Sequence, residues 1–425
     1  MKKPIDPNLD NFDDESLQFA LNSDDREITP NEPPQKVEDV EIQKITPHFN
    51  IEETEKSQHH HHHHHHHSSS HSHSSSSKKK KSKKRKKKIT TAGKIAIAIL
   101  IILLLLIFAV VGTFLFLEFK GKSSMTAPTV TTQENYEEKI SYNGHEYVYN
   151  DDVVAIAFLG VDKRDLGLDN GVVGTAGQSD TNIVLTVDTK TGRAKAIAVP
   201  RDTMVEVDLY SENNIFLRNE EMQLCLSYAY GNGTDTSATN VTTSISRILM
   251  NVPINKYFAL DLNGIAPIND AIGGVTVTSI YDFQNVNIKK GDEVHLIGDL
   301  AETYVRTRNL DNINASLNRT ERQVQYIKAF AAQLVPSVMN DFSIVNKLYS
   351  TASEYSATNL TVSDATYLAS LLISKGITDF ETETLQGEMK PSTRIDYADV
   401  VYAEFYPDED KLMETVLDTF YTQID

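Results

Sequence analysis

Val153-Val154-Ala155-Ile156-Ala157-Phe158-Leu159-Gly160 is an unbroken apolar run closed by a glycine. A strand exposed on one face alternates apolar and polar residues. A continuous run of this length is that of a strand covered on both faces. Ile183-Val184-Leu185-Thr186-Val187 and Ala194-Lys195-Ala196-Ile197-Ala198-Val199 read as two further strands joined by a hairpin-type turn at Asp188–Gly192. Periodicity predicts helices over 220–230 and 238–250, a strand at Lys256–Leu262, a helix over 263–272 and a short strand at Val275–Val277. A short helix then runs from Leu300 into Tyr304-Val305-Arg306, followed by a long amphipathic helix over Leu317–Leu334. Interleaved strands and helices define an α/β fold, a layered α-β-α domain around a central mixed sheet.

Outward from this domain the composition changes in blocks. The net charge of -18 is unevenly spread. Residues 1–58 are acidic and lack apolar periodicity, as in a disordered segment. A run of nine histidines, His59–His67, opens a Ser/His tract that reads as a solvated linker able to hold zinc or nickel weakly. Lys78–Lys88 is basic, and Ile95–Leu117 is apolar and free of charge. As a helix that run is about 35 Å long, enough to cross a hydrocarbon core of about 30 Å. The basic block before it places the N-terminus in the cytoplasm and the rest outside the cell membrane, and it has a natural contact in anionic lipid. The expected organisation is a cytoplasmic tail over 1–94, a transmembrane helix over 95–117 and an extracellular stalk over 118–145. The catalytic domain follows over 146–340, with a C-terminal extension over 341–425, helical with one strand. Cys225 is the only cysteine, so no internal disulfide staples the exported part.

Arginines and aspartates recur at the expected ends of these elements. They stand in Gly160-Val161-Asp162-Lys163-Arg164, Gln178-Ser179-Asp180-Thr181, Pro200-Arg201-Asp202-Thr203, Tyr304-Val305-Arg306-Thr307-Arg308 and Arg319-Thr320-Glu321-Arg322-Gln323. Open α/β sheets bind ligands at the carboxyl ends of their strands, where Asp162, Arg164, Arg201 and Asp202 fall. In extended chain Arg306 and Arg308 share a face, and on a helix Arg319, Arg322 and Gln323 do. An acidic domain attracts no nucleic acid, so an anion must be held by such a local cluster, and the guanidinium fork suits phosphate. Hard carboxylate oxygens suit Mg²⁺ or Mn²⁺, which phosphoryl-transfer sites hold with one or two carboxylates plus phosphate oxygens.

In this order the motifs, with Asp270-Ala271-Ile272-Gly273-Gly274-Val275 between them and one membrane helix before them, resemble the series of the LytR-CpsA-Psr family over about residues 140–335. The resemblance implies phosphotransfer of a glycopolymer, such as teichoic acid or capsule, from an undecaprenyl-pyrophosphate carrier to peptidoglycan. It implies Asp162 and Asp180 as metal ligands. It implies Arg164, Arg201, Arg306, Arg308, Arg319 and Gln323 as pyrophosphate ligands, with Asp202 orienting Arg201 or supporting the metal site. Asp162, Arg201, Asp202 and Arg306 are thereby the expected catalytic residues, and the general base is left open. The segment between Asp162 and Asp180 is longer than is usual for the family. A lipid tail requires an apolar groove between the sheet and a covering helix. Two readings compete: a polyprenyl-pyrophosphate hydrolase with water as acceptor, and a membrane-anchored regulator, for which residues 1–88 offer no helix-turn-helix pattern.

Overall fold

A computed structural model of the chain describes residues 91–125, 137–211, 213–283, 286–307, 314–376, 381–393 and 401–425, with 91–100 described by backbone alone. The expected cytoplasmic tail up to residue 90, with its histidine and lysine tracts, lies outside the described residues, as do residues 126–136 and Arg308. Residues 105–425 belong to one compact unit, and of residues 27–104 only the helical stretch 91–104 is described.

Helix α1 (Thr91–Met125) carries the apolar run and is long and apolar enough to cross a membrane. The strands follow as β1 (Lys139–Tyr142), β2 (His145–Tyr149), β3 (Val153–Val161), β4 (Ser179–Asp188), β5 (Ala194–Ala198), β6 (Met204–Tyr210) and β7 (Phe216–Gln223). Helix α2 (Asp235–Ile248), β8 (Lys256–Leu260), α3 (Ile265–Ala271), β9 (Val275–Thr278), β10 (Glu293–Leu296) and α4 (Asp299–Arg306) lead to the long α5 (Ala315–Asn340). After it come α6 (Ser343–Glu354), β11 (Ser356–Thr358), α7 (Val362–Lys375), β12 (Glu381–Thr384), β13 (Gly387–Thr393), β14 (Val401–Pro407), α8 (Glu409–Phe420) and β15 (Tyr421–Gln423).

The central sheet has the order β11-β8-β3-β4-β5-β12 and is mixed: β3 pairs parallel to β8 and antiparallel to β4. The opening run is β3, and its two faces part with a period of two. Ala155, Ala157, Leu159 and Val161 pack into a core with Val241, Ile245 and Leu249 from α2 and its C-terminal edge. Val154 and Ile156 turn the other way, towards Tyr367 and Leu371 of α7. Phe158 joins Val324 and Ile327 of α5 on that second face. Helices thus cover both faces, giving the three-layered α/β fold with a central mixed sheet.

Three expectations are corrected. Residues 220–230 are not an α-helix: β7 runs to Gln223 in a hairpin with β6, and a buried 3₁₀ turn follows over Leu224–Tyr230. The segment after Leu117 is not wholly a stalk, because α1 continues to Met125, which is buried. Gly121 permits this packing, since a Cβ there would lie inside contact distance of the Ser363 carbonyl oxygen. Residues 341–425, expected to be helical with one strand, carry five strands among the described residues, β11 to β15. They supply both edge strands of the sheet, β11 and β12, and β15 adds to the β1–β2 hairpin.

Candidate functional site

The register of β3 on β4 brings the first two motifs together. Gly160 pairs with Thr181 and Val161 with Ser179, so Asp162 and Asp180 emerge at the same end of adjacent strands. The long segment between them therefore does not move Asp180: the strand ladder sets its place. The carboxylate of Asp162 accepts a hydrogen bond from the Gln178 backbone N–H at 2.5 Å. Gly177 (φ +91°) allows that approach, because a Cβ there would stand 2.7 Å from Asp162 Oδ1.

Asp180 is clamped by two arginines from different elements. Arg201, just after β5, donates to Oδ1, and Arg319 of α5 donates to Oδ2 at 2.8 Å. The Arg201 side chain is 10% exposed and that of Arg319 is 5% exposed, so this pair forms the floor. Arg201 also donates to Gln178 Oε1, and its Nε lies 3.5 Å from Asp202. Asp202 in turn accepts from the Ser316 hydroxyl at 2.5 Å, fastening the start of α5 to the sheet.

Arg164 and Arg306 form the rim, with side chains 51% and 38% exposed. Both meet Glu302, Arg164 at 2.7 Å and Arg306 at 2.8 Å. Glu302 was not singled out from the sequence, although its i,i+4 spacing to Arg306 was a usable signal. Arg306 closes α4 and does not lie in extended chain. Gln323 donates to the Val305 carbonyl at 3.3 Å, and the buried Arg322 donates to the carbonyls of Tyr304 and Thr307. Arg322 also lies over the Tyr281 and Phe283 rings. It therefore supports the Arg306 segment from behind.

Asp162, Asp180, Arg306, Arg319 and Gln323 line one end of a cavity of about 420 Å³. Its walls are apolar for most of their length: Phe158 and Leu185 from the sheet, Phe258 from β8, and Ile327, Phe330 and Leu334 from α5. An apolar tunnel ending in guanidiniums and carboxylates suits a molecule with a hydrocarbon tail and an anionic head.

Asp261, at the carboxyl end of β8, lines the same cavity and was also overlooked. Burial pushes its carboxyl up to about 6, against hydrogen bonds from the Gly264 and Asn263 N–H groups. The folded state therefore binds its proton more tightly than the unfolded chain. Stability from this group is lost as pH rises from about 4 through about 6. Asp261→Asn is expected to flatten that decline, read as the denaturant midpoint between pH 4 and pH 7 against wild type.

Two carboxylates with hard oxygens fit a divalent cation. Asp180 has four lone-pair sites, and the two arginines take one on each oxygen. Among the described residues no group of three or more His, Cys, Asp or Glu could hold a metal. A Mg²⁺ completed by waters and phosphate oxygens needs only one or two.

A family model described as the LytR_cpsA_psr family matches residues 113–414, and the chain belongs to that family. It is 28% identical over 240 residues to the polyisoprenyl-teichoic acid–peptidoglycan teichoic acid transferase TagV of Bacillus subtilis, covering 54% of this chain and 55% of that protein. It is 32% identical over 188 residues to the transferase TagU of Bacillus anthracis, covering 44% of this chain and 54% of that protein. The chain thus spans about half the length of these curated relatives. The crystal structure of B. subtilis TagV aligns with a TM-score of 0.49 at 25% identity, over 63% of this chain and 95% of that one.

Proposed function

We propose that this chain is a membrane-anchored phosphotransferase that moves a glycopolymer from an undecaprenyl-pyrophosphate carrier to peptidoglycan. The observation that carries this reading is the arginine–carboxylate cluster at the polar end of an apolar-walled cavity. The names of the relatives agree with it, since those proteins are called polyisoprenyl-teichoic acid–peptidoglycan transferases.

In this reading the isoprenoid lies along Phe158, Phe258 and Phe330, and the pyrophosphate meets the arginines. Arg201 and Arg319 grip it from the floor, while Arg164 and Arg306 close from the rim. Arg308 belongs to the same set by its motif. Arg164, Arg201, Arg306 and Arg319 stand against Asp162, Asp180, Asp202 and Glu302, so the cluster is close to neutral by itself. Asp162 and Asp180 would hold a Mg²⁺ or Mn²⁺, and such an ion would supply positive charge against the phosphate oxygens. The acceptor sugar hydroxyl attacks the sugar-linked phosphorus. The new O–P bond forms as the pyrophosphate bridge breaks, undecaprenyl phosphate departs with the bridge electrons, and the hydroxyl proton passes to water. The guanidiniums act by holding the reactants and by stabilising the charge that grows on the leaving phosphate.

The test is release of lipid phosphate from a lipid-pyrophosphate sugar by the full chain with Mg²⁺, with and without peptidoglycan. Labelled wall formed only with enzyme supports transfer. Equal release in both arms, with no labelled wall, makes the protein a hydrolase.

A further inference from the structure

We infer that the corner between α5 and α6, at Met339 and Phe342, dips into the outer face of the bilayer beside α1. This rests on reading α1 as a membrane span. Phe342 meets Phe114 edge to face, with ring centroids 5.5 Å apart and planes at 76°. Phe114 lies three residues inside the end of the apolar run, about 5 Å by helical rise. A ring touching it therefore sits at or below the level where the helix leaves the hydrocarbon. Met339, on the last turn of α5, is 51% exposed there.

The contact is held by a rigid joint. Ser370 of α7 donates to Glu118 at 2.5 Å, and Lys256 donates to Ser124 at 2.8 Å. Lys256 is itself paired with the fully buried Asp364 at 3.2 Å. Met125 is buried against Val154, Ile156, Tyr367 and Leu371. With α1 fixed to the domain, the depth of Phe114 in the bilayer sets the depth of Phe342. The apolar walls of the cavity come from the same helices: Leu334 and Val335 from α5, Leu348 from α6 and Leu372 from α7. The bilayer is the partner whose chemistry fits, because the corner is continuous with the one helix among the described residues that is apolar enough to cross it.

The chain contains no tryptophan, so a single introduced one reports without background. Full-length Phe342→Trp, Leu106→Trp and Phe216→Trp are each placed in nanodiscs of acyl-brominated lipid and of unbrominated lipid. Leu106 lies in α1, and Phe216 is exposed on the β6–β7 hairpin. Bromine is expected to lower F342W and L106W emission about twofold or more, as for a group within 5–10 Å of the acyl boundary, and to leave F216W unchanged. Quenching of L106W alone overturns the inference and keeps the anchor. Failure to quench L106W overturns the anchor reading and the inference with it. Quenching of F216W as strong as that of F342W overturns the inference, because the corner is then not selected.

Discussion

If the proposed function holds, Arg201→Ala is expected to leave a folded domain whose polymer transfer falls by about 10²–10³-fold, the usual cost of removing one preorganised donor to a charged transition state. Arg201 is the link between the floor and the sheet. It holds Asp180 and Gln178, and its Nε approaches Asp202. Without it Asp180 keeps only Arg319 of its two arginine clamps, so the carboxylate shifts and, on the proposed reading, the pyrophosphate loses one of its two floor cations. Arg201→Lys keeps the charge but cannot reach two acceptors with one planar fork, so it restores only part of the rate. Circular dichroism and a steady-state assay with lipid-pyrophosphate sugar read the two effects apart. Wild-type turnover in folded R201A excludes the arginine floor.

On the proposed reading Ala331→Phe is expected to have the second large effect, through the tail of the substrate. Ala331 lines the cavity on α5 next to Phe330 and Leu334. A phenyl ring there takes space from the hydrocarbon, and each methylene kept out of an apolar site forfeits about 0.8 kcal/mol. Two such groups correspond to a rise in KM of more than tenfold for a long polyprenyl substrate. A short-chain pyrophosphate analogue that does not reach Ala331 is expected to bind as before. Equal affinity of A331F and wild type for the long-chain substrate shows that the tail lies elsewhere.

Much of this was legible from residue order alone. The buried strand at Val153–Gly160 and the motifs at strand and helix positions pointed to the sheet and to five residues that line the cavity: Asp162, Asp180, Arg306, Arg319 and Gln323. What escaped was set by packing. The edge strand β12 reads Glu-Thr-Glu-Thr, with no apolar signal, and exists because β5 offers it a parallel partner. The segment before Leu224 carries a helix-like spacing that the β6 ladder overrides. Asp261 and Glu302 each look like an ordinary acidic residue in sequence. The place of Asp261 follows from its burial, and that of Glu302 from Arg164, 138 positions away in the chain. Arg322 shares a helical face with Arg319, yet burial under Tyr304 and against Phe283 makes it a support, with its pKa lowered by that burial.

The central claim is that the pyrophosphate sits on the arginine–carboxylate cluster with its tail in the cavity. A crystal structure of the protein with a polyprenyl pyrophosphate and Mn²⁺ tests it most directly. The expected result is phosphate density against Arg201, Arg306 and Arg319, an anomalous peak at Asp162 and Asp180, and isoprenoid density between Phe158 and Phe330. Phosphate bound away from these arginines, or a tail outside the cavity, contradicts it.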